Sequence, residues 1–170
     1  MKSKKNLVFL GMMGSGKSLI GSLVSKKLNI GFIDVDKKIE KKIGLKISKI
    51  FENKGEKYFR EIEEIITLKS LKNKKTVISL GGGAFLNTKV RKEVLDNHIS
   101  FWLEWDIKTL VNRIKDSKKR PIAHKLSSSE IEDLIKNRSI IYSKAMYKIN
   151  CEKLTQIEIV KKVIKIYEAH

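Results

Sequence analysis

Residues 6–18 read NLVFLGMMGSGKS, and this stretch decides the fold. Five residues of mostly apolar character end in Gly11-x-x-x-x-Gly16-Lys17-Ser18, and an amphipathic run with Leu19, Ile20, Leu23, Val24 and Leu28 follows. A buried strand, a glycine-rich turn and a helix are predicted in that order. The glycines let successive backbone N–H groups turn inward toward phosphate oxygens, and the helix N-terminus adds partial positive charge. In such a loop the lysine bridges the β- and γ-phosphates and the serine hydroxyl meets Mg²⁺. The motif lies between a strand and a helix, so a nucleoside-triphosphate site is expected rather than a turn carrying a solvated lysine.

Outward from this motif, strand and helix patterns alternate to the end of the chain. Strands are predicted at IGFIDVD, at Thr76–Leu80, at ISFWLEW and at MYKINC. Helices are predicted over most of 36–71, with breaks at IGLKIS and ENKG, and near 87–96, 106–115 and 129–146. A last helix opens at Thr155, with Glu158 at capping-box spacing. Alternation of this kind gives an α/β fold, three layers deep, with a central parallel sheet covered by helices. The polar stretch 117–128 holds the only proline, Pro121, and reads as the one mobile segment.

The 170 residues suit one domain, and the 41% hydrophobic content supports a core. No apolar run reaches the roughly 18 residues that span a bilayer. Lysines precede apolar residues at the N-terminus as in a signal peptide, but the apolar part is short and runs into the glycine motif. A soluble, cytoplasmic protein without membrane contact is expected. Cys151 is the single cysteine, and the three histidines form no ligand pattern. The net charge of +18 favours polyanionic partners, yet the lysines are spread along the whole chain as on solvated helix faces. No nucleic-acid partner is expected, because no aromatic interleaving accompanies them.

Three further features carry chemistry. Phe32, Asp34 and Asp36 alternate, so in an extended segment both carboxylates face one side, roughly 6–7 Å apart. They suit a metal contact and a substrate hydroxyl; alternatively, Asp36 caps the next helix. Glu56, Arg60 and Glu63 stand at helical spacing, for which a surface ion pair is the simplest account of Arg60. Gly81-Gly82-Gly83 after a buried strand is costly in entropy unless something must lie against the main chain there. Arg138 has no acidic residue three or four positions away, and Arg120 lies in the polar segment. Arginine is the preferred fork for carboxylates and phosphates.

The ordered set GMMGSGKS, FIDVD, IFENKGEKYFREIE, SLGGGAF, RIKDSKKRPI and LIKNRSIIY resembles shikimate kinase, within the nucleoside-monophosphate-kinase-like group of P-loop proteins. The resemblance spans about residues 6–142. It implies transfer of the ATP γ-phosphoryl group to the 3-hydroxyl of shikimate, in aromatic amino-acid biosynthesis, with Mg²⁺ and ATP as co-substrate. It also implies Gly14, Ser15, Gly16, Lys17, Ser18 and Leu19 at the nucleotide, with Ser18 and Asp34 at the metal. Asp36 would be the catalytic base, Arg60 and Arg138 the carboxylate clamp, and Gly82 and Gly83 the backbone beside the ring. Lys17 and Arg120 would serve catalysis. Arg113 and Arg120 would lie over the nucleotide, and the adenine edge would fall within 151–156, at backbone or Thr155. The same resemblance implies one kinase domain over 1–170, a substrate-binding helical region near 36–62, a lid near 116–128, and a monomer. The lid departs from the family in reading RPIAHK, where a leucine pair usually follows the proline. Other readings weighed are a gluconate kinase-like enzyme of the same fold, a regulatory GTPase, and a basic nucleic-acid binder. The GTPase lacks support, because NKKT at Asn73 has no guanine-reading aspartate.

Overall fold

The computed structural model describes residues 5–116 and 126–170. Five strands form one sheet: β1 (Leu7–Leu10), β2 (Gly31–Asp34), β3 (Thr76–Ser79), β4 (Ile99–Glu104) and β5 (Tyr147–Asn150). Every neighbouring pair is parallel, and the order across the sheet is β2-β3-β1-β4-β5. The helices are α1 (Lys17–Leu28), α2 (Val35–Ile43), α3 (Ile47–Leu71), α4 (Thr88–Asn97), α5 (Ile107–Lys115), α6 (Ser128–Tyr142) and α7 (Gln156–Glu168).

The period of two along β1 sorts the core into two halves. Leu7 and Phe9 pack with Ile20, Val24, Val160 and Val163, beneath α1 and α7. Val8 and Leu10 pack with Ile39, Ile66, Val90, Leu110 and Ile135, beneath the other helices. This is the three-layer arrangement expected from the alternating pattern. Asn6 fastens the start of β1: its side-chain Nδ2 donates to the Leu71 and Asn73 carbonyls, and its side-chain Oδ1 accepts from the Thr76 N–H.

Element ends follow local chemistry. Gly44, at φ 75°, stops α2, and Glu40 reaches past it to accept from the Ile47 N–H at the start of α3. α3 is broken at Gly55, where φ 77° and ψ 171° are not helical, which is the predicted ENKG break. Ser127 with Glu130 and Thr155 with Glu158 form capping boxes for α6 and α7. α6 ends at Tyr142 rather than at 146, because Ser143, Lys144 and Ala145 bond back into its last turn and release the chain toward β5.

Candidate active site

Parallel strands deliver their following loops to one edge of the sheet, where α/β proteins bind ligands. β1 and β3 are neighbours, so the loops Gly11–Gly16 and Leu80–Gly83 emerge side by side. Gly14 and Gly16 adopt φ 83° and 88°, values that a side chain would strain, and they wrap the first loop into the N-terminus of α1. Lys17 is buried, and its Nζ donates to the Gly11 and Met12 carbonyls at 2.9 Å each. The loop therefore holds its own ammonium in place ahead of any phosphate. Ser18 and Leu19 are exposed at the mouth, whereas the Ser15 hydroxyl is buried behind the loop. The Ser15 N–H donates to the Met12 carbonyl, which tightens the turn.

The aspartates depart from the extended geometry expected of them. β2 ends at Asp34, whose carboxylate accepts from the Lys37 N–H and caps α2, so Asp36 already lies in the first helical turn. The cap is Asp34, not Asp36. Asp36 instead turns toward the glycine turn after β3. A Cβ on Gly81 would stand 2.7 Å from its Oδ1 and would overlap the Glu63 carboxylate. Burial pushes the Asp36 carboxyl from 3.8 up to about 6; Glu63 reinforces the rise, and the Lys17 ammonium opposes it.

Glu63 is the residue that sequence reasoning missed as part of the site. It is 3% exposed, and burial raises its carboxyl, against the pull of Arg60 and Arg138. Arg60 donates from Nη1 to Glu63 at 2.6 Å, and from Nε and Nη2 to Glu56 at 3.2 and 3.1 Å. The expected ion pairs with Glu56 and Glu63 are present, but one partner is interior rather than on the surface. The signal was the Arg60–Glu63 spacing itself; its burial depends on α3 packing against the glycine turn, which helical spacing does not show. The guanidinium also lies over the Phe59 ring and against Gly83, where a Cβ would overlap it.

Arg138 is 8% exposed on α6, and a Cβ on Gly82 would stand 3.7 Å from its Nη1 and 3.4 Å from the Met13 N–H nitrogen. The phosphate-type loop, the glycine turn and Arg138 thus meet within a few ångströms. Arg138 Nε is buried with no hydrogen-bond partner among the described residues. Tyr142 donates to the Gly82 carbonyl, and burial holds its hydroxyl up at about 12. The triple glycine is therefore a matter of space: Gly81 and Gly83 leave room for Asp36, Glu63 and Arg60, and Gly82 lies between Met13 and Arg138. A cavity of about 280 Å³ borders Arg60, Glu63 and Gly83 on the α4 side and shares no residue with the first loop.

On the other flank, Arg113 of α5 stacks on Trp105 and donates to the Gly14 carbonyl at 3.3 Å. Thr155 is exposed, and its hydroxyl is engaged with Glu158 in the α7 cap. Arg120 and most of the predicted lid lie outside the described residues. No cluster of three His, Cys, Asp or Glu residues that could hold a metal occurs among the described residues. Ser18 at the loop mouth and Asp34 at the end of β2 are oxygen donors, a sparse set of the kind that suits Mg²⁺, which takes one or two protein oxygens and completes its shell from phosphates and water. No helix among the described residues is long and apolar enough to cross a membrane.

Comparison with known proteins bears on the family and the fold. A family model described as shikimate kinase matches residues 13–168. The chain is 39% identical over 165 residues to the shikimate kinase of Thermodesulfovibrio yellowstonii, covering 96% of this chain and 95% of that one. Among solved structures, shikimate kinase from Acinetobacter baumannii in complex with shikimate superposes with a TM-score of 0.90 at 27% identity, covering 97% of this chain and 93% of that one. The Aquifex aeolicus shikimate kinase gives a TM-score of 0.84 at 37% identity, with 94% of each chain covered.

Proposed function

The chain belongs to the shikimate kinase family, and from that premise we propose how its residues divide the transfer of the ATP γ-phosphoryl group to shikimate. The enzyme is an ATP-dependent phosphotransferase of the shikimate pathway. One observation carries the assignment of roles: a buried loop lysine, a carboxylate with a raised pKa and two arginines converge on a single glycine turn.

The backbone of Gly14 to Lys17 cradles the phosphates, with Leu19 beside the nucleotide, and the Lys17 ammonium turns from the Gly11 and Met12 carbonyls to the β- and γ-oxygens. Ser18 would hold Mg²⁺ directly and Asp34 through water; when bound, the ion neutralises charge on the phosphates. Arg60 and Arg138 take the shikimate carboxylate, and Gly82 and Gly83 lie against the ring. Arg60 and Arg138 stand on either side of the glycine turn, at Gly83 and Gly82, as a pair of forks for a carboxylate. The unpartnered Arg138 Nε supports this, because a buried donor is expensive until an acceptor arrives. Asp36 accepts the 3-hydroxyl proton as that oxygen bonds to the γ-phosphorus and the bond to the β–γ bridging oxygen breaks, releasing ADP. A carboxyl raised to about 6 is ionised at neutral pH and is a stronger base than an ordinary aspartate. Arg113 and the 151–156 loop, at backbone or Thr155, serve the adenine side, and Arg120 the phosphates. Residues 36–62 bind the acceptor, and 116–128 close over it. We place the enzyme in the cytoplasm as a monomer that binds no nucleic acid.

The test is ADP release coupled to a reporter, with shikimate, gluconate and nucleoside monophosphates compared as acceptors. Turnover should require shikimate and divalent metal, and Lys17→Ala should abolish it while the variant still unfolds cooperatively. Comparable rates with gluconate would overturn the acceptor. Tight, salt-sensitive RNA or DNA binding that survives Lys17→Ala would favour the basic-binder alternative.

A further inference from the structure

Trp105 follows the last residue of β4, one step beyond the sheet, and packs against both halves of the core. Its indole Nε1–H donates to the Ser15 carbonyl at 2.9 Å, so it fastens the back of the phosphate loop. Its ring face carries the Arg113 guanidinium at 3.7 Å from the centroid, a close stacking distance, and that guanidinium donates to the Gly14 carbonyl of the same loop. One side chain thus engages both the loop and the arginine on the adenine flank.

The surroundings keep this arrangement in register. Glu152, in the loop after β5, accepts from the Asp106 N–H at 3.1 Å and from Thr109 Oγ1 at 2.7 Å, which ties the first turn of α5 to the 151–156 loop. Arg113 is near enough to that loop to influence the acidities of Cys151 and Glu152. Arg113 is itself exposed, so a planar base entering between α5 and the 151–156 loop can pack against it. An exposed arginine samples many rotamers, and ordering one costs on the order of 1–2 kcal/mol in side-chain entropy. A rigid indole beneath the guanidinium removes much of that freedom before the nucleotide arrives.

We propose that Trp105 is a positioning residue for ATP: its ring fixes the plane of Arg113 for the nucleobase while its N–H holds the phosphate loop at Ser15. The inference rests on the nucleotide placement given under Proposed function. Its effect belongs to ATP binding and to neither shikimate binding nor the chemical step.

Wild-type turnover with ATP and shikimate is measured first; its absence would defeat the functional assignment, independently of Trp105. In enzyme that turns over, Trp105→Leu should raise the KM for ATP about tenfold, the combined loss of the stack on the exposed Arg113 and of the indole hydrogen bond to Ser15. Its kcat and its KM for shikimate should stay within about twofold of wild type. Trp105→Phe, which keeps a ring but no N–H, should recover at least half of the loss on a logarithmic scale. Trp105→Leu combined with Arg113→Ala should cost ATP binding clearly less than the sum of the two single changes, because the stack is shared between them. Labelling with 5-fluorotryptophan provides a readout independent of turnover: the ¹⁹F resonance lost in Trp105→Phe should shift on titration with ADP and remain still on titration with shikimate. An unchanged ATP KM in Trp105→Leu, a Phe variant no better than Leu, additive effects with Arg113→Ala, or a resonance that ignores ADP would each overturn the proposal.

Discussion

Replacing Asp36 by Asn should make the protein more stable as it makes the enzyme nearly inactive, and the stability change should depend on pH in a defined direction. The Asp36 carboxyl rises from 3.8 to about 6 on folding, chiefly by burial and then by the neighbouring Glu63. The folded state therefore holds this proton more tightly than the unfolded chain. Between those two pH values the native protein binds more protons than the unfolded one, so stability falls as pH climbs and is level above about 6. At about 1.4 kcal/mol per pH unit, the ionised carboxylate costs the fold about 3 kcal/mol at neutral pH as an upper bound. Asn carries no charge at any pH and so escapes this cost, although burying its amide costs on the order of 1–2 kcal/mol.

The net gain at neutral pH is then about 1–2 kcal/mol, or roughly 2–8 °C in Tm for a chain of this size. Urea denaturation of both proteins from about pH 4 to about pH 8 separates the two contributions. The amide cost is constant across the series, whereas the difference between variants should move by up to about 3 kcal/mol in favour of Asn as pH rises through the interval. In the same preparations kcat should drop by about a hundredfold or more, the usual worth of a positioned base. A stability difference that stays flat across pH, or an Asn variant that keeps its kcat, would refute the placement of a strained, working carboxylate at this position.

Two further substitutions probe the acceptor side. Gly83→Ala puts a methyl group where the Arg60 guanidinium lies, so Arg60 must leave Glu63; the KM for shikimate should rise about tenfold or more while the KM for ATP stays within about twofold, and steady-state kinetics with each substrate varied in turn checks it. Arg138→Lys keeps the charge but loses the planar fork, so the KM for shikimate should rise about tenfold. Calorimetric titration with shikimate should show the matching loss of affinity, and unchanged affinity would remove Arg138 from the clamp.

What was legible in the sequence was local. The phosphate loop depends on residues adjacent in the chain, and β1, Gly14, Gly16 and Lys17 could be read directly. The cap at Thr155 was legible for the same reason. Residues whose setting is made by packing were read incompletely. Glu63 stands three positions after Arg60 and was read as half of a surface pair; its burial comes from the docking of α3 on the turn after β3. The alternation of Asp34 and Asp36 looked like strand periodicity, but the Asp34 carboxylate captures the Lys37 N–H and starts a helix one residue later. Trp105 looked like the end of a strand, because nothing in its neighbours announces Ser15, which is ninety positions away.

The order of the strands explains why these scattered residues work together. Along the edge of the sheet, β2 and β3 bring Asp34, Asp36 and the glycine turn; β1 brings the phosphate loop; β4 brings Trp105 and, through α5, Arg113; β5 brings the 151–156 loop. On the proposed assignment, the groups for acceptor, phosphates and nucleobase are laid out in one line, in the order β2-β3-β1-β4-β5, over four inter-strand steps of about 4.8 Å each. On the proposed assignment the transferred phosphoryl group would cross a single step, from the loop of β1 to the turn of β3, where Gly82 lies against Met13 of that loop. With β1 central, the loop after it has the glycine turn on one side and the Trp105–Arg113 pair on the other. The chain order β1, β2, β3 obscures this, because β2 comes before β3 in sequence but lies outside it in space. The crossover through α2 and α3 that places β2 at the rim also carries Asp36, Arg60 and Glu63, so the connection that reorders the sheet supplies most of the residues proposed for the acceptor site.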